Sequence, residues 1–174
     1  MDNLETLREL YRHMEWADVK VWTAVLARHE AADASSLKER LYHIHMVQRA
    51  FMKVWRGDQF KLVTADSFPD LRSLLGWARE NYAELNEYLG DFTNVDLEKP
   101  VVMPWIEMFE ARLGRKAEAP TFHETLLQVA MHSTYHRGQV STKLREIGGE
   151  PPLTDFIVWV WSAKPQPEWP DDSN

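Results

Sequence analysis

Residues 121–149 read TFHETLLQVAMHSTYHRGQVSTKLREIGG, and this stretch decides the architecture. Thr121 followed by Glu124 is a capping box, in which hydroxyl and carboxylate each satisfy a backbone amide that the first helical turn leaves open. Leu126, Val129, Val140, Leu144 and Ile147 then share one face. Gly148-Gly149 end the helix, and Pro151-Pro152 prevent its continuation. A helix with one apolar stripe must bury it against others.

Three more segments supply partners. Over 3–29, Leu4, Leu7, Leu10, Tyr11, Met14, Ala17, Val21 and Val25 recur at spacings of three and four. A second helix is expected from Ser36, with Glu39 completing a capping box, through Ile44, Val47, Phe51 and Val54 to Gly57. A third enters at Pro69 and carries Leu71, Leu75, Ala78, Tyr82, Leu85 and Leu89 to Gly90. The fold class expected is all-α, a four-helix bundle. Segments 57–68 and 91–120 are too long for simple up-and-down wiring and read as crossovers, with Val101, Val102, Met103, Trp105 and Ile106 extended. The apolar run 155–161, DFIVWVW, is expected to pack over one end of the bundle. Residues 1–163 form one domain on this reading, and 164–174 a Pro-rich acidic tail on which Trp169 can still dock.

The 174 residues hold 20 basic and 27 acidic side chains, a net charge of −7. That balance argues against a nucleic-acid binder, whose affinity comes from Lys and Arg on phosphates, and against docking on anionic lipid. No run approaches about 18 apolar residues, and no signal core follows the acidic start MDNLETLREL, so a cytoplasmic protein is expected. There is no cysteine, which removes disulfides, thiolate metal sites and a cysteine nucleophile. A transition metal here must be held by His, Asp or Glu. Eight tryptophans exceed what packing requires. Trp16, Trp55, Trp105 and Trp159 are candidates for a pocket mouth, although core packing is the commoner use of any one of them.

Among seven histidines, His132 and His136 stand at i and i+4 and so share a helix face. At 100° per residue, His136 lies about 40–50° from the core direction of its helix, with His132 further out on the same side. On the second helix His43 lies about 70° from the apolar mean and His45 about 130°. His43, His132 and His136 can therefore converge on one ion and leave a position open. His45, His13, His29 and His123 are expected at the surface. Neither HExxH nor paired Glu-x-x-His occurs, since Leu127 stands where a second His would follow His123-Glu124. GxSxG, P-loop and GxGxxG patterns are missing too.

The stretch His132-Ser133-Thr134-Tyr135-His136-Arg137-Gly138-Gln139, followed by Leu144-Arg145, Gly148, Pro151-Pro152 and Asp155, resembles the HxxxHRGQ signature of the DinB/YfiT-like family of metal-dependent bundle proteins. Tyr11 with Trp16-Ala17, and His43-Ile44 with Arg49-Ala50-Phe51, resemble the family's first- and second-helix patterns. The resemblance is weakest over 57–120. It implies a bundle with a non-sequential helix order and a nickel or zinc ion on His43, His132 and His136, the same three the helical phases select. It also implies a homodimer and a small-molecule substrate, with S-transfer from a low-molecular-weight thiol as the leading reaction.

An open site of this kind equally fits hydrolysis by bound hydroxide, or a bundle that binds metal or small molecules without catalysis. The second nitrogen of a ligand His needs an acceptor, for which Asp18, Glu15 or a backbone carbonyl are candidates. Arg137 and Gln139 flank His136 and can contact an anionic substrate. The plainer reading, which we favour, pairs Arg137 with an acid such as Asp155 and uses Gln139 to cap a loop. Gly138 is expected to permit close helix approach.

Overall fold

The computed structural model describes residues 3–28, 34–59, 61 and 63–171. Within them are α1 (Asn3–Leu26), α2 (Ala34–Arg56), α3 (Leu71–Gly90), α4 (Ile106–Leu113), α5 (Phe122–Glu146) and α6 (Phe156–Trp161). The described residues contain no strand, only an isolated bridge between Pro100 and Thr121.

Four long helices form the bundle. α5 packs against both α1 and α2, and α3 packs against the same two. Helices α1 and α2, consecutive in sequence, thus stand diagonally across the bundle, and the connection 91–120 carries the chain from α3 to the opposite corner. It returns beside the start of α5, where Val101 donates to the Pro120 carbonyl at 2.8 Å and Phe122 to that of Lys99 at 2.8 Å. Val101 and Met103 are buried while Val102 is 83% exposed, the alternation of an extended segment lying on a core. The same connection holds α4, which departs from the expectation of an extended segment. Ile106, Phe109 and Leu113 give it a stripe, but one too short and too exposed to register in the sequence.

The helix ends show where local sequence governs. Thr121 and Glu124 form the expected capping box, with the Glu124 amide donating to the Thr121 hydroxyl at 3.2 Å and the Thr121 amide to the Glu124 carboxylate at 2.7 Å. Thr121→Ala is expected to lower stability by about 1 kcal/mol, read as a shift in the urea midpoint. α3 is capped by Asp70 with Ser73, so Pro69 precedes the helix rather than opening it. α2 begins at Ala34, which places Ser36 and Glu39 inside the helix and not at its cap. Gly148 closes α5 at φ +76°, and a Cβ there would meet the Arg28 guanidinium at 2.8 Å. Gly138, by contrast, has open space where a Cβ would stand, so no close helix approach accounts for it.

Two large clusters make up most of the core along the bundle. One cluster gathers Leu7, Tyr11, Met14, Leu85 and Leu126, and the other Trp22, Leu41, Ile44, Leu74, Leu75 and Val140. Between them lies a buried polar network fed by all four long helices. Arg137 of α5 donates to Asp18 of α1 at 2.8 Å, both at most 3% exposed. Tyr82 of α3 donates to the other Asp18 oxygen. The Gln48 amide of α2 lies within 3.0 Å of Asp18, Tyr82 and Ser133. Trp22 donates to His45 Nε2 at 2.9 Å, so the His45 proton sits on Nδ1 and is donated to Gln48 Oε1 at 2.9 Å. His45 is fully buried, not superficial. The buried sector of α2 is wide because α3 and α5 pack on different sides of it. An apolar mean does not reveal a sector that is partly polar.

α6 and the chain beyond it lie against α1. Trp159 is buried against Trp16 and Ala17. His13, expected at the surface, is 5% exposed, lies 2.9 Å from the Thr154 carbonyl through Nε2, and meets Phe156 edge-on at 5.1 Å. Trp169 donates to Glu15 at 2.9 Å and packs 5.6 Å from Tyr82. His123 is half-buried, and His29 lies outside the described residues.

Candidate metal centre

On α5, His132 and His136 are one turn apart and their ring centroids are 4.2 Å apart. His43 projects from α2 across the α2–α5 seam, 5.1 Å from His132 and 4.4 Å from His136. One nitrogen of each ring lies within 4.8 Å of the other two. The α2–α5 contact thus unites residues nearly ninety positions apart.

The state of the rings suits a cation. The His132 ring is pushed down to about 4 by burial first, then by His136 and His43. Burial and His136 also lower His43. Imidazoles held neutral keep their lone pairs for an ion. His136 Nδ1 lies 2.9 Å from Gln139 Oε1, and because an amide oxygen only accepts, the proton is on Nδ1 and Nε2 carries the lone pair. His132 Nδ1 is buried with no hydrogen-bond partner among the described residues, the kind of polar atom a bound ion satisfies. The residues present therefore fit a divalent metal.

This chemistry makes the His132 titration readable. The metal-free protein is expected to protonate His132 near pH 4, against about 6.5 for an unfolded histidine. Since the unfolded chain takes up this proton first as pH falls, the group removes stability between about 6.5 and 4, and its neutral form adds nothing above that window. An NMR titration of the ring protons places the midpoint; a midpoint above 6 would contradict the account.

His43 and His136 open onto a cleft of about 370 Å³ lined by Ser36, Glu39, Arg40, His43, His136 and Gln139. Of the six pocket candidates, Gln139 lines it. Its Oε1 engages His136 rather than capping a loop. Arg137 turns inward to Asp18, not Asp155, and is 3% exposed. Asp18 and Glu15, considered as acceptors for a ligand histidine, are engaged by Arg137 and by Asn86 and Trp169 instead. Trp16 and Trp159 pack together in the core. Trp55 donates to Thr125 at 2.9 Å, and Trp105 meets Phe51 at 5.5 Å, both in the cluster near the start of α5. Trp55 is twelve positions beyond His43, roughly 18 Å along the helix.

The profile of the DinB family matches residues 1–169. The chain belongs to the DinB family. Its all-helical bundle and three-histidine cluster are compatible with a metal-dependent function for this DinB protein. Comparison with curated proteins returned no match. Among the described residues no helix is long and apolar enough to cross a membrane.

Arg40 and Glu39 of the cleft escaped sequence reasoning. The signal available was their place three and four residues before His43, on the helix face that carries it.

Proposed function

We propose that this DinB-family protein holds a divalent nickel or zinc ion on His43, His132 and His136 and acts on a small molecule, with S-transfer from a low-molecular-weight thiol as the leading reaction. The observation that carries this reading is the convergence of three imidazoles beside an accessible cleft. A divalent ion bound there supplies a Lewis acid that lowers the pKa of a coordinated water or thiol. The chain's own residues do the rest. Gln139 fixes the His136 tautomer, and the Asp18–Arg137 pair anchors α5 beside it. With no cysteine in the chain, the sulfur must arrive with a cosubstrate.

A homodimer in the cytoplasm is the setting this reading assumes. Supporting it, Met131 and Tyr135 on α5 and Ile157 and Trp161 on α6 are large apolar side chains left exposed. The test of function is a screen of low-molecular-weight thiols against monochlorobimane with metal-loaded protein. Metal- and protein-dependent conjugation is expected with at least one thiol. Conjugation with none moves the assignment to metal-assisted hydrolysis or to binding without catalysis.

A further inference from the structure

Three arginines of the described residues carry a buried Nε without a partner: Arg28, Arg40 and Arg49. Two of them are otherwise engaged. Arg28 donates to the Ile147 carbonyl. Arg49 donates to the Trp77 carbonyl at 3.1 Å, lies over the Trp77 ring and stands 3.6 Å from Glu84. Arg40 has no hydrogen bond, ion pair or ring contact among the described residues, and it is half-buried in the wall of the cleft that His43 and His136 line.

A guanidinium partly withdrawn from water and given no acceptor is costly unless a ligand supplies one. It is not alone. The Gln139 amide spends its oxygen on His136, and its NH₂ group has no acceptor among the described residues. Ser36 lines the same cleft, and its hydroxyl has no partner among the described residues. One cation and two neutral donors thus surround the space beside the histidines.

We infer that Arg40 is the specificity residue of this cleft and that the molecule bound there carries a carboxylate. The planar guanidinium pairs with a carboxylate through two parallel hydrogen bonds. The divalent ion of the proposed centre would attract any anion, so the planar fork of Arg40, and not a count of charges, is what favours a carboxylate in the cleft that Glu39 also lines. Arg137, which the sequence offers as a less favoured candidate for this task, is already neutralised in the core.

The inference rests on the metal-centre reading, and the test separates the two. Cobalt(II)-loaded protein is titrated with two pairs of probes, and the visible spectrum reports entry. The pairs are 3-mercaptopropionate against 3-mercaptopropionamide, and imidazole-4-acetate against 4-methylimidazole. The charged member of each binding pair is expected to bind about tenfold more tightly, the scale of one charge-assisted hydrogen bond. Arg40→Met is expected to abolish that preference while leaving cobalt uptake and the uncharged probes unchanged; Arg40→Lys should restore part of it. No preference in the native protein, or a preference that survives Arg40→Met, overturns the inference alone. Failure of both thiols with success of the imidazoles counts against thiol transfer and leaves the charge comparison intact. Absence of cobalt uptake overturns the metal-centre reading, and this inference with it.

Discussion

Asp18→Ala is expected to destabilise the fold by about 3–5 kcal/mol, the largest effect of any single substitution considered. The reason is the partner left behind. Arg137 is 3% exposed, and its Nη1 donates to Asp18 at 2.8 Å while Nη2 donates to Thr134 at 2.8 Å. Removing the carboxylate leaves a buried cation facing Tyr82 and Gln48 with no anion within the network. The cost is that of an uncompensated charge, not the net worth of the pair. Asp18→Asn retains hydrogen bonding and is expected to cost less. The double variant Asp18→Leu/Arg137→Met, which removes both charges, is expected to recover much of the loss. Urea unfolding followed by circular dichroism checks the order. Equal losses in all three variants would contradict this account of the network.

The second large effect falls on metal affinity. His132→Ala, His136→Ala and His43→Ala are each expected to weaken binding by at least a hundredfold, with the helical circular-dichroism signal retained because all three side chains are only half-buried. Gln139→Ala removes no ligand and only frees the His136 ring, so a loss of about 10- to 100-fold is expected. Protons compete for the same lone pairs, so affinity falls as pH drops below the ordinary histidine range. Calorimetric titration with Zn²⁺ and Ni²⁺ measures each value. Gln139→Ala binding as tightly as the native protein would remove Gln139 from the centre, and a single-histidine variant with native affinity would remove that histidine.

The site was more legible than its surroundings, for a physical reason. His43, His132 and His136 lie at fixed angular offsets from apolar stripes, and helical periodicity converts those offsets into direction. His45 defeated the same arithmetic because its buried sector is polar. Trp22 and Gln48 satisfy it inside the bundle, with Gln48 donating in turn to Asp18, and no hydrophobic average registers such a partner. Arg137 does pair with an acid, but for a related reason the partner is Asp18 and not Asp155. Pairing across helices depends on which helices are diagonal, and spacing along one helix does not carry that. The four long helices were legible from stripe and cap. Helix α4 was not, because eight residues offer too few turns for a stripe to show. Arg40 went unnoticed because a lone arginine on a helix face is ordinary until its buried Nε is seen in a cleft wall with no partner among the described residues.

The central claim is that His43, His132 and His136 together hold one ion. X-ray absorption spectroscopy of the zinc-loaded protein tests it most directly, since multiple scattering from imidazole rings counts the histidines bound. The account predicts three imidazoles at about 2.0–2.1 Å and at least one further light-atom ligand. A spectrum with one imidazole or none, at one ion per chain, would contradict it.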